Sequence, residues 1–272
     1  ELARFLDTRD ALRLALERRE FVLHYQPQLD LRTGRVVGVE ALIRWQRPGV
    51  GLVMPGAFIE VAEESGLIVP MGRWVLQEAC RQAAAWRAAG WPDLVMAVNL
   101  SAIQFRQGQV VEDVRLALAA SGLAPQGLEL ELTESLLLQG EETVLGALAQ
   151  WKARGIRLAI DDFGTGYSSL AYLKRFPLHK IKIDRSFVIN LKDDQGDRAI
   201  VRAMIQIARS LKLRTIAEGV EEADLANRLR AMGCDEVQGY LYARPLSVAD
   251  FKAWLDGQGL RPQTSSSGCL LP

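Results

Sequence analysis

Apolar and polar positions along the chain alternate in a way that predicts short strands interleaved with amphipathic helices. Residues 10–20 place Leu12, Ala15 and Leu16 on one side, at the spacing of a helix face. Two runs with strand character follow, over 21–29 and 35–45. Their link, Asp30-Leu31-Arg32-Thr33-Gly34, is short and carries a glycine, which predicts an antiparallel hairpin. Helices are predicted over 55–65 and 70–89, the second stopping at Gly90. Strands over 94–100, 128–132, 156–160, 180–183, 213–217 and 236–237 then interleave with helices over 110–120, 141–154, 168–175, 197–211, 222–232 and 248–256. Several of these strands are continuous apolar runs, as expected where both faces of a sheet are covered. Eight strands with alternating helices predict an α/β fold, a TIM-like (β/α)8 barrel whose first link is a hairpin instead of a crossover. A doubly wound open sheet is the other architecture that the pattern permits.

Composition narrows the class. The 272 residues carry 33 Lys+Arg and 33 Asp+Glu, for a net charge of zero, with 49% apolar and 24% charged residues. That is a globular composition, neither disordered nor fibrous. A balanced charge argues against duplex nucleic acid as a partner but leaves room for one small anion. Cys80, Cys234 and Cys269 are far apart and form no CxxC pair, which suits reduced thiols and a cytoplasmic location; Cys80 and Cys234 are expected in the core. His24 and His179 are too few for a His-rich zinc site. No apolar run reaches the roughly 18 residues of a membrane span, and no signal peptide is visible. One domain is expected over 1–258, opening with a leading helical segment over 1–20, and a Ser-rich flexible tail over 259–272. The chain begins at Glu1 without Met, as an excised domain would, so a membrane anchor could precede it.

Polar residues interrupt the apolar strands where a barrel carries its active site, at the C-terminal strand ends. They are Glu40, Asn99, Glu131 (with Glu129), Asp161-Asp162, Lys182 (with Lys180), Glu218 and Gln238. Because Glu129 alternates with Glu131, one of the two is expected to face helices or solvent, with Glu129 in a salt bridge. Buried charges need partners. The five carboxylates of Glu40, Glu131, Asp161, Asp162 and Glu218 would repel one another, and Lys182 alone does not balance them. Divalent cations would. Carboxylates with the amide oxygens of Asn99 and Gln238 are hard ligands that favour Mg²⁺ or Mn²⁺ over zinc. Asp161-Asp162 is suited to bridge two ions, an arrangement that serves in-line displacement at phosphorus. Structural readings stand beside this one: Glu40 as a paired buried acid, Lys180 and Lys182 in structural ion pairs, and Asp162 to Gly166 as a turn only.

At these residues the chain resembles the EAL family of cyclic di-GMP phosphodiesterases. The resemblance rests on Tyr25-Gln26-Pro27, Glu40-Ala41-Leu42 with Ile43-Arg44-Trp45, Asn99 in VNLS, Glu131 in ELTES, the specific run DDFGTGYSSL from Asp161, Lys182 in KIKID, Glu218 in EGVE and Gln238 in QGY. It covers residues 11–258. It implies a barrel with an antiparallel first strand and hydrolysis of cyclic di-GMP to linear pGpG, with two Mg²⁺ or Mn²⁺ ions required and Ca²⁺ inhibitory. Glu40, Asn99, Glu131 and Asp161 would ligate one ion; Asp161 would bridge to a second, near Asp162 and Glu218. Lys182 would hold or deprotonate the attacking water and Gln238 would orient water or ligand, completing a catalytic set with Glu40 and Glu218. Gln26, Leu42, Arg44 and Asp184 would contact substrate, Arg44 at a phosphate. Glu134 and the loop with Gly164, Thr165 and Gly166 would couple the metal site to a homodimer interface. An upstream GGDEF, PAS or membrane module is a common neighbour in this family. Two rivals stay open: a catalytically silent cyclic di-GMP receptor, and an enolase-like proton-abstracting enzyme suggested by Lys180-Ile181-Lys182.

Overall fold

The predicted hairpin forms as β1 (Phe21–Asp30) and β2 (Val36–Arg47) in a computed structural model that describes residues 2–107, 109–134, 136, 142–164 and 170–258. Asp30 builds the turn: its Oδ1 accepts from the backbone N–H groups of Arg32 (3.1 Å) and Thr33 (2.8 Å), while Gly34 takes the left-handed φ of 70° that closes it. The strands that follow are β3 (Gly51–Val53), β4 (Val95–Leu100), β5 (Leu128–Thr133), β6 (Arg157–Phe163), β7 (Lys180–Ile183), β8 (Arg214–Ala217) and β9 (Glu236–Val237). Strands β2 and β4 to β9 run parallel in spatial succession, and β1 closes the ring by pairing antiparallel with both β2 and β9. This is the predicted eight-stranded barrel with an antiparallel first strand, and β3 extends β2 outside the ring.

Helices α1 (Leu2–Arg18), α2 (Ile59–Glu64), α3 (Ile68–Ala88), α4 (Ala102–Arg106), α5 (Val110–Ser121), α6 (Glu142–Ala153), α7 (Leu170–Arg175), α8 (Arg185–Ile189), α9 (Gln195–Ser210), α10 (Ala223–Met232) and α11 (Val248–Gly257) complete the described chain. α1 starts earlier than its apolar periodicity indicates, because no Gly or Pro stops it before Asp10. β3, α4 and α8 are absent from the sequence-based expectation: each is an extra short element between a strand and the next helix of the alternation. The two short helices start at capping residues, Ser101 in a capping box with Gln104 and Asp184 at α8. The expected tail over 259–272, with Cys269, lies outside the described residues. None of the described helices is long and apolar enough to cross a membrane.

The apolar core lies outside the barrel wall. Outward-facing Met96, Val98, Leu128, Leu130, Leu158, Ile160, Ile181 and Ile183 pack against helix residues such as Leu76, Trp86, Val114 and Trp151. Cys80 and Cys234 are buried there as expected, and burial pushes both thiols up to about 12. Strand alternation turns the other set of residues into the lumen. That set is mostly polar: Gln26, Gln28, Glu40, Glu129, Glu131, Lys180, Lys182, Glu236 and Gln238 are all buried. Ala97 and Ala159 fill the same interior without joining the outer apolar clusters. Here one expectation is corrected. Glu129 and Glu131 are two apart, so strand periodicity sends both inward; Glu129 does make the expected salt bridge, but inside the barrel, to Lys180 at 2.7 Å.

Past β9 the chain doubles back so closely that only a glycine fits at 239. A Cβ there would lie 2.1 Å from Val220 O and 2.3 Å from Val220 N. Gly239→Ala is therefore expected to lower the urea-derived unfolding free energy by about 2 kcal/mol or more, the scale of overpacking that displaces backbone. An unfolding curve matching wild type would show that this crossing is loose.

Candidate active site

Lys182 is the centre of the upper lumen layer. Its Nζ lies 2.5 Å from Glu131, 2.8 Å from Glu218, 3.2 Å from Asp161 and 3.7 Å from Glu40. These acids come from four different strands or strand ends, so the barrel assembles them. Burial alone would lower the Lys182 pKa; Asp161, Glu131, Glu218 and Glu40 outweigh it and hold the ammonium well above its ordinary range. The acids divide. Burial raises Glu40, but Lys182 and hydrogen bonds from Gln238 Nε2 (2.6 Å) and Asn99 Nδ2 (2.7 Å) more than offset it and keep its carboxyl low. Burial and then the Glu40 charge push Glu131 well up. Burial first, with Asp161 and Glu40 adding and Lys182 opposing, lifts Glu218 to about 8.

That pattern is the signature of too little positive charge. Glu131 Oε1 is buried with no hydrogen-bond partner. The donor set, carboxylates with the Asn99 amide oxygen beside them, is all hard oxygen and fits Mg²⁺ or Mn²⁺. Among the described residues no three His, Cys, Asp or Glu side chains form a preformed cation cage. The ammonium of Lys182 stands at the point that the acids share.

The other predicted residues take several distinct positions. Gln26, Glu40, Leu42, Asp161, Lys182, Glu218 and Gln238 line one cavity of about 270 Å³. Arg44 continues the inward face of Glu40 and Leu42 along β2; its Nη1 donates to Ile43 O at 2.8 Å, and its buried Nε has no partner. Asp162 sits apart on the exposed rim with φ 54°, where a bulge interrupts the β6–β7 pairing, and its carboxyl is raised first by desolvation and then by Asp161. Asp184 spends its carboxylate on the N-terminus of α8, accepting from Ser186 N at 3.0 Å, and is not among the cavity lining. Glu134 is buried and accepts from Gly164 N at 3.1 Å, which ties the end of β5 to the turn after β6. Thr165 and Gly166 lie outside the described residues.

Sequence reasoning assigned no role to Arg185, Glu221 and Tyr240, which also line the cavity, although Glu221 and Tyr240 end the EGVE and QGY motifs. Arg185 directly follows KIKID, a position that would have flagged it. A larger cavity of about 360 Å³ opens at the opposite mouth, lined by Arg32, Arg35, Arg157 and Arg214, away from the Lys182 acids. The strand-end chemistry converges on the smaller one.

Comparison with known proteins agrees with this geometry. Residues 9–245 match the family model described as EAL domain. The chain is 49% identical over 242 residues to the bifunctional diguanylate cyclase/cyclic di-GMP phosphodiesterase MucR of Pseudomonas aeruginosa, covering 89% of this chain and 35% of MucR. It is 43% identical over 250 residues to the cyclic di-GMP phosphodiesterase PdeR of Escherichia coli, covering 92% and 37%. It thus spans about a third of the length of these relatives. Its barrel is similar to a solved structure of the PaMucR phosphodiesterase in complex with c-di-GMP, with a TM-score of 0.87 and 47% identity over 90% of this chain and 99% of that one. Matched from Arg9 to Pro245, across every barrel strand and all four acids around Lys182, the chain belongs to the EAL domain family.

Proposed function

We propose that this chain hydrolyses one phosphodiester of cyclic di-GMP to linear pGpG, using two Mg²⁺ or Mn²⁺ ions. The observation that carries the reading is the ring of Glu40, Glu131, Asp161 and Glu218 around one ammonium at the barrel mouth, four acids for one base. The relatives named as cyclic di-GMP phosphodiesterases and the MucR complex support the substrate. Glu40, Asn99, Glu131, Asp161 and Glu218, together with Asp162 at the rim, would hold the cations, which when bound would acidify water and offset charge on the phosphoryl oxygens. Water attacks phosphorus, the P–O3′ bond breaks, and the 3′ oxygen leaves with a proton. Lys182 donates hydrogen bonds and so holds the attacking water in line. Gln238 and Gln26 present amides to the ligand edge. Arg44, with its partnerless Nε, offers a planar donor to a phosphate oxygen. Residues 1–258 serve as one catalytic unit. It works as a cytoplasmic homodimer in which Glu134 and the Gly164 turn carry interface changes to the metal acids, and Ca²⁺ inhibits.

The direct test is cyclic di-GMP turnover with Mg²⁺, Mn²⁺ or neither ion. pGpG should appear only with metal; tight nucleotide binding without pGpG would leave a receptor and refute the enzyme. Glu40→Ala should lower turnover by at least about 100-fold, the upper range for loss of a metal-site group, with an unchanged circular dichroism spectrum. Lys182→Ala should cut kcat far more than nucleotide affinity, and equal losses would contradict its water-holding role.

Cation affinity should depend on pH. Glu131 and Glu218 are raised, Glu218 to about 8, so below that pH protons compete with the metal. Mn²⁺ titrations followed by paramagnetic resonance should show affinity increasing from pH 6.5 to 8.5, beyond any change in Glu218→Gln. A flat profile would mean these carboxyls do not hold the ion.

A further inference from the structure

We infer that Gln28 is a positioning residue, the middle of a one-way hydrogen-bond relay from Lys180 that aims the Gln238 amide at Glu40. The catalytic consequence rests on the phosphodiesterase reading; the relay itself rests on geometry alone.

The lower lumen layer is built on Lys180. Its Nζ pairs with Glu129 at 2.7 Å and Glu236 at 2.9 Å, and it donates to Gln28 Oε1 at 3.4 Å. Gln28 Nε2 then donates to Gln238 Oε1 at 3.1 Å. Gln238 Nε2 donates to Glu40 Oε2 at 2.6 Å and to Gln26 Oε1 at 2.9 Å. Gln26 Nε2 ends the branch on Ala243 O at 3.1 Å. An amide offers an acceptor on one side and a donor on the other, and nothing in a single glutamine decides which way it points. Here both ends decide. An ammonium only donates, while a carboxylate and a backbone carbonyl only accept. All three amides are therefore held in one sense.

Reversing Gln28 would set its NH2 against the Lys180 ammonium and its carbonyl against that of Gln238. Reversing Gln238 would set its carbonyl against the Glu40 carboxylate. Bulk water does little to relieve the Gln28 clash, because Gln28 is 1% exposed and lies below the cavity that Gln238 borders. The chain also makes room for the relay. Gly38 lies directly across the hairpin from Gln28, and a Cβ there would come within 2.7 Å of Gln28 Oε1. The output is a fixed Glu40, with Asn99 on Oε1 and Gln238 on Oε2.

Two variants of the whole chain test this. Gln28→Met keeps length and removes both hydrogen bonds. Gln28→Glu keeps the acceptor for Lys180 but removes the donor, so Gln238 must turn its NH2 downward and face Glu40 with its carbonyl. Both should lower kcat by about 10- to 100-fold, the range for supporting groups around a metal site, with KM and Tm little changed. In ¹H–¹⁵N spectra, assigned by the loss of signal in Gln238→Met, the Gln238 side-chain NH2 pair should shift in both. Wild-type kcat with an unmoved Gln238 signal in either variant overturns the inference. So does a kcat loss matched by a collapse in Tm, which would mean packing. If Gln28→Met does not fold, Gln28→Glu decides alone. If the wild-type chain itself makes no pGpG, the phosphodiesterase reading fails, while the Gln238 shift still decides the relay.

Discussion

One ammonium among four carboxylates is the constraint on which the barrel mouth depends. In water an ion pair at contact is worth about 1 kcal/mol; in a buried layer the attraction grows, and so does the cost of desolvation. Lys182 offsets one of the four charges around it. The rest must be met otherwise. Glu40 is met by two amide donors, and Glu131 and Glu218 by a strong tendency to keep a proton. A site arranged this way would favour a bound cation for the same reason that it raises its own carboxyl pKa values: either would supply the missing positive charge. It also follows that a nucleotide phosphate is not drawn to the bare acids. On the proposed function, Arg44 and bound cations would bring it there.

Such a lumen is affordable because the hydrophobic driving force is generated elsewhere. Barrels of this type are more often filled by branched apolar side chains. Here the outward faces of β4 to β7 and the surrounding helices form the apolar shell, at about 25 cal/mol for each Å² removed from water. The interior is released from that duty and stacks two charged layers instead. β7 seeds both, since Lys180 and Lys182 point the same way two residues apart. Small residues at Gly38, Ala97 and Ala159 leave the volume that long polar side chains fill. Buried ion pairs of this kind contribute less to stability than to a unique arrangement, because any slip leaves a charge without its partner.

What the sequence made legible follows from the same physics. Helices and strands of ten or more residues repeat their apolar period often enough to be seen, and a charge inside an apolar run, as at Glu40 or Lys182, cannot be incidental. β3 and α8 were hidden because they are extra elements outside the strand–helix alternation, which is what made the equally short β7 and β9 visible. Glu129 was misplaced by a parity slip that the strand rule itself corrects. Asp162 was grouped with the lumen acids because a bulge leaves no mark in composition; the left-handed φ at that residue turns it to the rim while Asp161 stays inside. Gln28 went unremarked for a different reason. It is neutral, so nothing in its character announces a need for partners, and its place shows only when Lys180 is seen beneath it.

The antiparallel first strand then has a role that closure alone does not require. A parallel strand in its place would reach the ring by a crossover, with its register set by helix packing. A hairpin sets register through its turn and any bulge beside it, here the one-residue shift between Gln28 and Leu29. That register pairs Gln26 with Glu40 and Gln28 with Gly38. Because β1 descends as β2 rises, one glutamine stands at the level of the acids around Lys182 and the next at the level of Lys180. A slip of one residue would turn both outward into the apolar shell and replace them with Tyr25 and Pro27. The turn made by Asp30 and Gly34, at the far end of the barrel from the site, together with the one-residue register shift between Gln28 and Leu29, therefore decides which side chains reach Glu40.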